Sequence, residues 1–139
     1  MKTIIKNRHS DVKLSLHDTH INKITISKNS IQFCFDYIFD YSLGEEQSMV
    51  KASITFENID LDFCNIYIIK EPNNKKLNGK IYPLQSYVKK HKYVDLGIIT
   101  ETYHGYDTIW TGYLYHKNKI RQFMIKLWNM GDMIYHIES

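Results

Sequence analysis

His17, Asp18 and His20 are the densest group of side chains in the sequence that could bind a metal ion or transfer a proton. Imidazoles and carboxylates are zinc ligands, but structural zinc sites usually supply four ligands and catalytic sites three. The sequence adds no HExxH or CxxC motif that would complete such a set. In an extended segment, positions i and i+3 point to opposite faces, so the two imidazoles converge only if the segment turns. We favour a turn before a hairpin, in which Asp18 accepts hydrogen bonds from backbone N–H groups; a metal site at these three residues is the alternative.

Three further histidines, His104, His116 and His136, are a second candidate for chemistry. Two of them could meet across a sheet, with Asp107 orienting one imidazole, and such an acid–base pair could cleave RNA. The seven histidines of this chain also bring some pairs together by chance. The GxSxG motif of a nucleophilic serine and the glycine-rich phosphate loops are absent from the sequence. We therefore predict no catalytic residue, no metal and no cofactor.

Aromatic rings and basic side chains are interleaved in the last third of the sequence. In 109–115 and 123–128 apolar residues alternate along the chain, and alternate residues of a strand share a face. The face with Trp110 and Phe123 suits the core, which leaves the other face open. The residues that we predict to form a binding surface on this open face are Tyr113, Tyr115, Lys126 and Trp128. Tyr and Trp are enriched at protein interfaces, and the same rings could instead stack on RNA bases.

The composition favours strands, because 11 Tyr and many Ile accompany a single Ala. Alternating runs recur at spacings typical of sandwiches and barrels; one such run includes Ile59, Leu61 and Phe63, and we interpret Glu71 to Gly79 as a long hairpin tip. Residues 83–92 are the one helix candidate, with apolar residues at i, i+3 and i+4. We predict a single mainly β domain over 1–139. Its architecture is an antiparallel sandwich or a strongly bent, partly closed sheet of eight to ten strands with one helix near 83–92.

Charge and cysteine content narrow the classes of partner and compartment. The formal net charge of +3 is mild for a protein that binds nucleic acid. Cys34 and Cys64 are too few for a disulfide framework. No apolar run approaches the ~20 residues of a membrane span, and the start of the chain does not resemble a signal peptide. We therefore expect a cytoplasmic protein that does not contact a membrane.

Residues 16–36 contain Leu16-His17-Asp18, isoleucines at 21, 24 and 26, and Phe33-x-Phe35-Asp36 after a polar turn. This pattern resembles the N-terminal region of small stand-alone bacterial β domains, some of which are similar to immunity proteins paired with secreted toxins. It implies a β-rich domain with no catalytic residues to carry over. The absence of catalytic motifs and the Tyr/Trp surface lead us to predict a non-enzymatic protein-binding domain, which could be an immunity-type protein that binds and neutralises a toxin and could also form homo-oligomers. The alternatives are a metal- or His-dependent enzyme such as a nuclease, and an RNA-binding β domain.

Overall fold

A computed structural model describes residues 2–6, 12–42, 44, 47–73, 76–91 and 94–138, with the backbone alone for 70–78. Within these ranges the chain forms eleven strands, one α-helix and one 3₁₀ turn. The strands are β1 (Lys2–Lys6), β2 (Leu14–Ser15), β3 (Thr19–Ile26), β4 (Ser30–Asp40), β5 (Ser48–Glu57), β6 (Asn65–Asn73), β7 (Lys76–Pro83), β8 (Leu96–His104), β9 (Asp107–His116), β10 (Lys119–Trp128) and β11 (Met133–Ile137). The helix is α1 (Leu84–Lys90) and the 3₁₀ turn spans Leu61–Phe63.

All eleven strands belong to one antiparallel sheet. Ten of them follow the order β1-β11-β5-β4-β3-β8-β9-β10-β6-β7, and β2 pairs with β4 beside β3. The sheet is not closed, since β1 and β7 end the order. The predicted mainly β class with one helix is therefore confirmed, and of the two predicted architectures the structure adopts the bent sheet.

Ring contacts between strands that are not neighbours in the sheet show that the sheet is bent. Trp110 of β9 lies 4.9 Å from Phe33 of β4 and 5.5 Å from Phe56 of β5, measured between ring centroids. In the sheet order, β3 and β8 stand between β4 and β9. The two halves must therefore curl toward each other, and their facing sides enclose one core in which all three rings are buried.

The helix covers part of this core. Leu84 and Tyr87 of α1 are buried among the core residues, and Val88 packs against them. These are the positions of the predicted apolar stripe. Lys89 and Lys90 occupy the last turn, where the helix dipole favours positive charge.

Two local predictions are wrong. The strand expected through Ile59 and Phe63 is replaced by the 3₁₀ turn, because Asn58 adopts a positive φ of 51° and the Asp60 carboxylate accepts a hydrogen bond from the Asp62 N–H at 3.1 Å. The long hairpin tip over 71–79 is also shorter than expected. Backbone pairing carries β6 to Asn73 and starts β7 at Lys76.

A chain of hydrogen bonds ties the end of β8 to its neighbours. Trp110 Nε1–H donates to Tyr103 Oη at 3.2 Å, and Tyr103 Oη–H donates to Glu101 Oε1 at 2.6 Å. The other carboxylate oxygen of Glu101 accepts the backbone N–H of Leu16 at 2.9 Å. The Lys6 ammonium lies 3.3 Å from the centroid of the Tyr103 ring, and burial lowers the pKa of Lys6 although Glu101 acts in the opposite direction. The hydrogen bonds join β8, β9 and the segment before β3, and the contact of Lys6 with the Tyr103 ring adds β1 to this arrangement.

A substitution at Gly112 tests whether β8 and β9 lie too close together to admit a side chain. Gly112 is buried in β9, and a Cβ at this position would overlap the backbone carbonyl oxygen of Gly97. We expect Gly112→Ala to lower the free energy of unfolding by about 1–3 kcal/mol, as overpacking does, in chemical denaturation. Gly79→Ala is the matched control, because its Cβ would meet its nearest atom at an ordinary 3.4 Å. Equal effects of the two substitutions would contradict this account.

The buried tyrosines predict a loss of stability at alkaline pH. Burial and the Glu101 charge raise the pKa of Tyr135 above its ordinary 10.0, and burial beside Tyr135 raises the pKa of Tyr103. The folded state therefore favours the neutral phenols. Their contribution is complete below pH 10 and is lost as the pH rises toward the raised folded-state pKa.

We expect the free energy of unfolding to fall above pH 10 by up to about 1.4 kcal/mol per pH unit for each such tyrosine. Denaturation curves recorded at several alkaline pH values measure this slope. Tyr135→Phe should reduce the slope, because it removes one of the tyrosines whose pKa is raised. Identical slopes in the two proteins would show that Tyr135 does not contribute.

Candidate functional site

His17 and Asp18 form the turn that leads into β3, and His20 is the second residue of that strand. Asp18 has a positive φ of 62°, and its N–H donates to the Ile98 carbonyl oxygen at 2.8 Å. The Asp18 carboxylate lies 3.0 Å from His17 Nδ1 rather than beside a backbone donor. His20 instead donates from Nδ1 to Asp95 Oδ1 at 2.7 Å. The two imidazoles thus have different carboxylate partners, and no group of three or more His, Cys, Asp or Glu in the described part of the chain could hold a metal ion.

The three C-terminal histidines lie on different parts of the sheet. His104 is opposite Asp107 where β8 turns into β9, whereas His116 is at the far end of β9, about 30 Å away at strand spacing. His136 lies on β11 between Thr3 and Ser53. His116 approaches His91 of the helix end instead, with 6.4 Å between ring centroids. The structure therefore does not bring His104 and His116 together.

The four residues predicted to form a binding surface all lie on the face of β9 and β10 that points away from the core. Tyr113 and Tyr115 are 40% and 38% exposed, and the Tyr115 ring also contacts His20, with 5.6 Å between centroids. Lys126 and Trp128 are half-buried. Register places Trp128 six residues along the sheet from the level of Tyr113, which is about 20 Å. The structure thus brings the two tyrosines together and leaves the tryptophan apart.

Trp128 joins a separate group of rings at the other end of the same face. Its ring lies 5.3 Å from that of Tyr106 and 6.4 Å from that of Phe63 between centroids. This group belongs to the region of the 3₁₀ turn. Removing Trp128 would therefore disturb the packing of neighbouring rings as well as the surface.

Sequence reasoning missed the apolar residues that strands β6 and β7 add to this face. Ile81 of β7 is opposite Tyr67 of β6, which is opposite Met124 of β10. In the next row, Ile69 is opposite Gln122, which is opposite Tyr113. Ile81 is 63% exposed and Ile69 is 37% exposed. We call Tyr67, Ile69, Ile81, Tyr113 and Met124 the outer patch. Part of it lines a shallow groove of about 320 Å³.

A second feature lies on the core side of the same strands, where the hairpin of β9 and β10 projects past the core. It is a cavity of about 210 Å³ between this hairpin, β6, β7 and the end of α1. We call it the cationic pocket; its lining residues are Ile68, Lys80, Tyr82, Tyr87, His91, Leu114, His116, Lys117, Lys119 and Arg121. The lining contains no Asp or Glu among the described residues. Burial, followed by the charges of Lys90 and His116, lowers the pKa of His91.

Comparisons with protein-family models, with curated proteins and with solved structures find no match to this chain. Among the described residues, no helix has the length and apolar character needed to cross a membrane.

Proposed function

We propose that this chain is a non-enzymatic protein-binding domain and that the outer patch is its contact surface. The observation that carries the proposal is the row of apolar and aromatic side chains across β7, β6 and β10, with Ile69 and Tyr113 in the adjacent row. Single exposed apolar residues are normal on a protein surface, but contiguous ones mark interaction sites. Ile81, Tyr67 and Met124 are neighbours through strand register, and Ile69 and Tyr113 lie in the next row on either side of Gln122, so the five side chains belong to one surface.

The core of this fold does not require these side chains to be apolar. The helix packs on the opposite side of the sheet, where Leu84 and Tyr87 are buried. The outer patch holds two tyrosines, a methionine and two isoleucines without a charged member. Aromatic residues and Met are enriched in interface cores, and charged residues are depleted there. The composition of the outer patch is thus that of an interface core.

The resemblance of residues 16–36 to immunity-type domains supports a more specific form of the proposal, in which the partner is a secreted toxin that this chain neutralises. Half-buried Lys126, which shares the face with the outer patch, favours a partner with acidic side chains at its rim. Cys34 and Cys64 are free thiols, which supports a reducing compartment such as the cytoplasm. If the product of a neighbouring gene copurifies with this chain, that product is the partner to use in a direct binding test.

We expect Tyr113→Ala and Ile81→Ala each to weaken partner binding by about 2 kcal/mol or more if they occupy a hot spot, which is roughly 30-fold in Kd. Both side chains are exposed, so thermal stability should change little. Isothermal titration calorimetry with the copurified partner measures the loss. Met49→Ala is the matched control, because Met49 is 62% exposed on β5, away from the outer patch.

Other results would replace the proposal. Binding that is equal in Tyr113→Ala, Ile81→Ala and Met49→Ala proteins would exclude the outer patch as the contact surface. Self-association that Tyr113→Ala abolishes would identify a second copy of this chain as the occupant. An affinity that falls steeply with salt and is directed at RNA would favour the nucleic-acid alternative.

A further inference from the structure

We propose that the cationic pocket binds a small phosphate-bearing anion. The pocket lies on the core side of the sheet and shares no residue with the outer patch. The inference therefore stands independently of the proposed protein-binding function.

The positive charges of the pocket occupy positions that face the core side of their strand. On β10, alternate residues run from buried Ile125 and Phe123 to Arg121 and Lys119. On β7, Lys80 is opposite buried Ile68 of β6. Where the two halves of the sheet separate, the inner face thus changes from apolar to cationic.

No carboxylate in the described part of the chain forms an ion pair with these charges. The ion pairs found there join histidines to aspartates and do not involve Lys80, Lys119 or Arg121. Lys117 adds a fourth permanent positive charge to the same lining. A cleft lined by one sign of charge focuses the electric field and concentrates ions of the opposite sign.

The donors of the pocket are suited to phosphate in particular. The Arg121 guanidinium can bind two oxygens at once through parallel N–H groups, and the lysines supply further donors around it. On the other wall, the Tyr87 ring lies 6.1 Å from Tyr82 and 4.4 Å from His91 between centroids. Phosphate offers several acceptor oxygens in a tetrahedral arrangement, which suits a pocket lined by several N–H donors. The volume of about 210 Å³ is below the ~300–1,000 Å³ of typical ligand pockets, which indicates a small ligand.

The test is a titration of the ¹⁵N-labelled protein with inorganic phosphate and, separately, with uridine 5′-monophosphate at constant ionic strength, followed by NMR. We expect saturable shifts at the backbone amides of the cationic pocket, with one Kd for all of them. Arg121→Gln should weaken binding at least tenfold, and Lys119→Gln should weaken it as well. Lys51→Gln, an exposed lysine on β5, is the control and should bind as the wild type does.

The two ligands distinguish the source of the phosphate. Tighter binding of the nucleotide than of phosphate would assign a phosphate monoester with a ring against the tyrosine wall, and equal affinities would assign the phosphate group alone. Shifts that do not saturate, or that Arg121→Gln and Lys119→Gln leave unchanged in well-folded proteins, would overturn the proposal. Tyr113→Ala should retain phosphate binding. The proposal for the outer patch and the proposal for the cationic pocket can therefore be contradicted separately.

Discussion

The buried side chain of Trp110 joins the two halves of the bent sheet. Its ring contacts Phe33 and Phe56 across the core, and its N–H begins the hydrogen-bonded chain through Tyr103 to Glu101. A large ring with one polar atom suits this position, because it fills the space between the halves and still has its donor satisfied. The curl that this contact fixes turns one face of β9 and β10 into the core and the other face to solvent. The exposure of the outer patch is therefore a consequence of how the core closes.

Much of this arrangement follows from the strand period of two. Apolar alternation in β9 and β10 was sufficient to predict which residues face the core and which lie with Tyr113 on the open face. The helix was predictable because its apolar stripe has a different period. Alternation gives no such information in β6, where Ile66, Ile68 and Ile69 follow each other closely and both faces are apolar. The outward direction of Ile69 therefore had to come from the pairing of β6 with β10.

Pairing between distant strands is the information that the sequence lacks. The contact of β3 with β8 and that of β10 with β6 join segments far apart in the chain, and no local pattern specifies their register. His20 could not be matched with Asp95 for this reason, so its spacing from His17 suggested a shared site. The 3₁₀ turn after β5 was missed for a different reason, since a positive φ at Asn58 interrupts a run of otherwise regular alternation.

The cationic pocket could not be predicted from the sequence for the same reason, because segments far apart in the chain form it. In the sequence, Lys119 and Arg121 belong to the interleaved aromatic and basic residues of the last third. Only the positions of α1 and β7 make these two residues part of the wall of a cavity. Consecutive residues of β9 lie on opposite faces of the sheet: Tyr115 is on the outward face, and His116 lines the cationic pocket. A side-chain substitution can therefore affect one site and spare the other, provided that it is chosen by strand parity. A change in the backbone of this hairpin would affect both the outer patch and the cationic pocket, because the same paired strands carry both faces.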